Sequence, residues 1–122
     1  MSGKISEAEL EVMKILWREG KPVSFTDIRI ELQSVKEWKK STVNTLIRRL
    51  ADKKMINAEK RNITYYTANI TQGEYARAEE QALIDKLYKG SAKKFVAALF
   101  RNGTLCEDDL DELREFFKRE AN

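Results

Sequence analysis

The feature that most constrains the fold of this 122-residue chain is a double change of period along it. As far as Asp52, apolar residues recur every three or four positions, the spacing of amphipathic helices. From Met55 to Ala68 the pattern becomes that of two short strands, rich in β-branched and aromatic residues, and from Thr71 it is helical again. Three helical segments, a hairpin and three further helical segments therefore have to share one small chain.

Local signals place the boundaries. Ser6-Glu7-Ala8-Glu9 fits a reciprocal capping box. Leu10, Met13, Leu16 and Trp17 follow, with Val12 and Ile15 widening the stripe, and Gly20 with Lys21-Pro22 ends the segment. Ser24, with Asp27 three residues on, opens a short second helix carrying Ile28 and Leu32. A third helix is expected to begin near Lys40-Ser41-Thr42, with Val43, Leu46, Ile47 and Leu50 as its apolar stripe. The runs 55–60 and 63–68 flank Arg61-Asn62, where an Asn tolerant of left-handed backbone suits a short turn. Thr71-Gln72-Gly73-Glu74 is a second capping box and opens a helix to about Lys89, with Leu83, Ile84, Leu87 and Tyr88 on its edge. Gly90 stops it, and Ser91 caps a helix bearing Phe95, Val96, Leu99 and Phe100. After Asn102-Gly103, a last helix from about Glu107 carries Leu110, Leu113 and Phe117. Its first-turn acids suit the helix dipole.

Composition narrows the function. The chain has no His and one Cys, which excludes a disulfide framework, zinc sites of the His/Cys kind and every His-dependent triad. The lone thiol suits a reducing cytoplasm. No stretch reaches the roughly 18 apolar residues of a membrane span, so no direct membrane association is expected. Gly-rich phosphate loops and nucleophile elbows are absent. The acids around Asp108 spread about a helix, without the loop spacing of a metal site, so neither metal nor cofactor is expected.

The formal charge is +3, but it is unevenly divided. Residues 1–70 carry 14 Lys/Arg and 9 Asp/Glu, a net of +5, and residues 71–122 carry 9 and 11, a net of −2. The stretch from Lys36 to Arg61 alone holds 9 basic and 3 acidic residues. Within it, Ser41, Thr42, Asn44, Thr45, Arg48 and Arg49 fall largely off the apolar stripe of the third helix, so its outer face can hydrogen-bond and is basic, with no acid before Asp52.

Three helices followed by a hairpin is the order of a winged helix-turn-helix. The third helix would enter the major groove of double-stranded DNA, and Lys60 and Arg61 at the wing tip would meet a phosphate. The expected fold is mostly α with a small β-hairpin, with a winged helix over 1–70 and a helical region over 71–122. That second region is a poor core by itself. Leu83, Leu87, Phe95, Leu99, Leu110, Leu113 and Phe117 are expected to pair with a second copy, giving a homodimer suited to a palindromic operator. The competing reading is a winged-helix adaptor that binds proteins, its acidic last helix docking a basic partner. The acid-free face from Ser41 to Arg49 argues against it.

The residues also resemble the bacterial penicillinase-repressor family, which controls beta-lactamase and related resistance genes and has a copper-responsive branch. The resemblance runs from about Ile5 to Phe117. It is carried by Ala8-Glu9, Glu11-Val12-Met13 and Leu16-Trp17, then by Trp38, Thr42, Thr45-Leu46-Ile47, Arg49-Leu50, Lys53 and Ile56. Tyr65-Tyr66, Leu87-Tyr88-Lys89-Gly90 and Glu112-Leu113-Arg114 complete it. It implies a repressor that binds a palindromic operator as a homodimer through its C-terminal helices, with Ser41, Thr42, Asn44, Thr45 and Arg49 at recognition-helix positions. In the beta-lactam branch a membrane-bound sensor metalloprotease, the partner this implies, triggers cleavage within the fifth helix. Three features depart from the pattern. Asn44 stands where that branch carries Arg, so an Arg-to-guanine contact is lost and an Asn-to-adenine one made possible. Ala98-Leu99 stands where it carries its Asn-Phe cleavage pair. Cys106 alone cannot supply the clustered cysteines of the copper branch.

Overall fold

The computed structural model describes residues 4–121. Its elements run α1 (Glu7–Glu19), β1 (Val23–Ser24), α2 (Phe25–Lys36), α3 (Lys40–Asp52), β2 (Ile56–Lys60), β3 (Thr64–Ala68), α4 (Gln72–Tyr88), α5 (Ala92–Arg101) and α6 (Glu107–Ala121). None of the described helices is long and apolar enough to cross a membrane.

Short polar caps set where the helices begin. At α1 the Ser6 hydroxyl accepts from the Glu9 N–H and the Glu9 carboxylate accepts from the Ser6 N–H, closing the capping box. Gly20 ends the helix in the left-handed conformation, at φ 64°. Ser24 caps α2, Thr71 and Glu74 cap α4 reciprocally, and Ser91 caps α5. Ser6→Ala is expected to cost about 1 kcal/mol of stability, measurable by denaturant unfolding; an unchanged midpoint would show that the cap contributes nothing.

Chain contacts divide the molecule inside α4, after Tyr75. In the N-terminal unit, α1 and α2 pack on α3, and the sheet closes the side of this bundle. Val12, Met13, Ile28, Val43 and Leu50 are completely buried there, with Ile5, Ile15, Leu16, Val23, Leu32, Leu46, Ile47, Met55 and Ile56 around them. The sheet is antiparallel in the order β1-β3-β2. Val23 faces Tyr66 and Ser24 faces Tyr65, while Ile56 faces Ala68 and Lys60 faces Thr64. The two-residue strand β1 is an addition to the hairpin that the sequence pattern announces. The turn is also built differently from expectation. Non-glycine residues with positive φ among those described are Glu37, Lys54 and Lys89, and Asn62 is not one of them. Instead the Arg61 N–H donates to the Ile63 carbonyl at 3.0 Å, closing a tight tip around Asn62.

The first turn of α4 belongs to this unit. The Trp17 indole N–H donates to the Ile70 carbonyl at 2.8 Å, and its ring lies 5.6 Å, centroid to centroid, from that of Tyr75.

The C-terminal unit is different in kind. No residue of α4, α5 or α6 is fully buried. The Tyr88 and Phe95 rings meet at a tilt, 5.3 Å between centroids, and Phe116 meets Phe117 edge-on. Leu83, Leu87, Val96, Phe100, Phe116 and Phe117 are all exposed in the single chain. At the start of α6, Asp109 accepts from the Cys106 backbone N–H at 2.9 Å. This bond and a second from the thiol hold the Asp109 carboxyl below its ordinary pKa.

Candidate nucleic-acid interface

Helix α3 presents two faces of opposite character. Val43, Leu46, Ile47 and Leu50 are buried, while Ser41, Thr42, Asn44, Arg48 and Arg49 are exposed. Ser41, Asn44 and Arg48 lie three and four residues apart, on one strip, with Thr42 and Arg49 beside it. None of these five makes a side-chain hydrogen bond or ion pair among the described residues, so each is available to a ligand. Thr45 is half-buried, and its hydroxyl donates to the Ser41 carbonyl at 3.0 Å. It is thus placed at the margin of the face, with its proton already used.

The N-terminus of α3 stands apart from those of α1, α2 and α5. Lys39 occupies its cap position with no side-chain hydrogen bond, and its first turn contains no acid. Unsatisfied N–H groups, the positive end of the helix dipole and the cations of Lys39 and Lys40 coincide there, a combination that attracts anions.

A groove links this end of α3 to the wing. It is lined by Phe25 and Thr26 from α2, Lys40, Ser41 and Asn44 from α3, and Ile63, Thr64 and Tyr66 from the hairpin. The structure thus gathers Ser41 and Asn44 with residues that the sequence pattern did not single out. Lys40 could have been found as part of the basic run, whereas Thr26 and Tyr66 become neighbours of Asn44 only through the tertiary fold. Burial pushes the Tyr66 phenol above its ordinary pKa, so it remains a neutral hydroxyl.

Strand alternation separates the two wing-tip cations. Lys60 shares a face with Thr64 and Tyr66, the residues that line the groove. Arg61 lies with Glu59 and Tyr65 and is already engaged by both.

Behind the face, one ion pair braces the far end of α3. Lys53, its C-cap, reaches the Glu9 carboxylate at 2.5 Å and the Lys4 carbonyl at 2.6 Å. Glu9 is only 1% exposed. Burial alone would raise its pKa, but the hydrogen bonds from Lys53 and the Ser6 backbone, together with the Lys53 charge, outweigh that and hold it below the ordinary carboxylate value.

A helical trio, an antiparallel three-stranded sheet whose β2–β3 hairpin forms the wing, and a basic third helix with no side-chain cap make this unit a winged helix-turn-helix. The chain belongs to the penicillinase repressor family, whose profile matches residues 5–119. It is 36% identical over 113 residues to the penicillinase repressor of Staphylococcus aureus, covering 92% of this chain and 89% of that one. With the methicillin resistance regulatory protein MecI of Staphylococcus aureus strain N315 it shares 33% identity, covering 95% and 94%. Among solved structures, the DNA-binding domain of the repressor BlaI matches 62% of this chain and 94% of its own, at 33% identity and a TM-score of 0.56. The monomeric Bacillus licheniformis BlaI solved with the blaP half-operator matches 62% and 92%, again at 33% identity, with a TM-score of 0.54.

Proposed function

We propose that this DNA-binding repressor works as a homodimer on a palindromic operator, each chain reading one half-site with α3 and steadying itself on the backbone with the wing. The observation that carries the reading is the exposed face of α3, basic, free of acid in its first turn and continuous with the wing groove. Asn44 and Ser41 are the base readers, and Arg48 and Arg49 reach phosphate or guanine. Thr42 and Thr45 add hydrogen bonds at the margin, and Lys60 neutralises a phosphate beside the wing. The likeness to BlaI, solved as a monomer on a half-operator, supports one half-site per chain.

Pairing falls to the C-terminal helices. Leu83, Leu87 and Phe117 are exposed in the single chain, and Phe95, Leu99, Leu110 and Leu113 only half-covered. A second copy would remove this apolar surface from water. Relief of repression follows from any event that breaks the pairing, and cleavage in α5 by a membrane-bound sensor protease is one route.

Selection of bound sequences from random duplex DNA tests the whole reading. The expected product is an inverted repeat. Asn44→Ala should change base preference at one position of each half-site. Lys60→Ala should weaken binding to all duplexes about equally and flatten the salt dependence by roughly 0.9 in log–log slope, the share of one phosphate. Enrichment of single, unrepeated sites would remove the dimer from the reading, and no enrichment would remove sequence-specific repression.

A further inference from the structure

The wing carries an acid where a polyanion is expected to lie. Glu59 on β2 is the direct cross-strand partner of Tyr65 on β3, which places both on one face of the hairpin. Arg61, two residues beyond Glu59, returns to that same face. Its Nε donates to Glu59 Oε2 at 2.8 Å, and its guanidinium carbon sits 4.6 Å from the centroid of the Tyr65 ring. Lys60, on the opposite face, makes no ion pair among the described residues. The two cations of the tip are therefore unequal: one is open, and the other is held between a carboxylate and an aromatic ring.

Carboxylate and phosphate compete for the same donors of a guanidinium, in similar geometry. We propose that Glu59 is an internal stand-in for a DNA phosphate, occupying Arg61 in the free protein and yielding it only when a backbone phosphate displaces it. This rests on the reading that the wing lies along DNA. Glu59 is then an affinity-setting residue that need not touch the nucleic acid. Tyr65 has the complementary part, keeping the guanidinium at the tip by cation–π attraction while its partner is exchanged. The ion pair is solvent-exposed on both sides, so the brake is mild. Arg61 is raised in pKa and Glu59 lowered, chiefly by their mutual hydrogen bond, as a charged and engaged pair requires.

The test is a double-mutant cycle on the full chain, with binding to a short mixed-sequence DNA duplex read by fluorescence anisotropy across a salt series. Glu59→Gln should tighten binding roughly two- to fivefold, the range of an exposed ion pair. The salt dependence should keep its slope, because Arg61 meets the phosphate in both complexes and only the cost of releasing it differs. In an Arg61→Ala background the same change should have no effect. An equal gain in both backgrounds would mean that Glu59 merely repels DNA at a distance, and would overturn the proposal; so would no gain in either. Both outcomes leave the DNA-binding reading standing. Failure of the unaltered chain to bind duplex in a salt-dependent way would overturn that reading and the proposal with it. Both side chains are exposed, so unchanged thermal unfolding is expected for every variant and serves as the check on folding.

Discussion

A chain carrying Phe117→Glu is expected to sediment as a monomer and to bind a two-half-site operator about a hundredfold more weakly, the usual scale of avidity lost when two linked contacts become one. Its binding to an isolated half-site should be unchanged. Phe117 is the natural position for this change. It is 60% exposed in the single chain, so an added carboxylate meets solvent and costs the protomer little beyond the edge contact with Phe116. Leu87→Glu, at a side chain 58% exposed, should act in the same direction. A variant that remains dimeric at micromolar concentration would place the pairing surface elsewhere. Equal losses on full and half operators would point to damage in the reading unit instead.

The second large effect concerns stability. Lys53→Met is expected to cost about 3 kcal/mol, because it leaves the Glu9 carboxylate buried with no cation beside it. Denaturant unfolding at neutral pH measures this directly. The pH dependence carries the sign. Glu9 is held below its ordinary pKa in the folded state, so its contribution is complete above the ordinary carboxylate range and is lost as the pH falls through the lowered value. The gap between the two proteins should therefore be widest at neutral pH and close in acid, as Glu9 protonates in both. Taking the difference also isolates Glu9 from Glu31, Glu59, Glu74 and Asp109, whose carboxyls are likewise held low. A gap that stayed constant down to strong acid would show that Lys53 acts through packing alone.

These cases show what was legible in the sequence. Helix beginnings were, because a Ser followed three residues later by Glu or Asp satisfies a free N–H locally, and Ser6 and Ser24 do so with no help from the rest of the chain. The two faces of α3 were, because the alternation from Val43 to Leu50 fixes what is inside and so what is left outside. The hairpin was, through the β-branched and aromatic residues of β3. The strand β1 was not: two residues carry no period, and their partners Tyr65 and Tyr66 lie far along the chain. Glu9 could be read as a cap, but its burial and its bond to Lys53 join residues far apart in sequence. The groove around Asn44 was invisible for the same reason, since Thr26 and Thr64 reach it from different elements. At the wing, adjacency in sequence suggested that Lys60 and Arg61 act alike, whereas strand alternation turns them to opposite faces and gives one of them to Glu59.

The lack of any fully buried residue in α4, α5 and α6 has a consequence for dosage. If those helices find their cover only in a second copy, the amount of active regulator is set by mass action. While monomers predominate, the dimer concentration follows the square of the total, so a cell whose growth dilutes the protein twofold loses about three-quarters of its dimer concentration. Operator occupancy would then respond to abundance as a threshold. A modest fall in synthesis could open the promoter with no ligand bound and no bond broken.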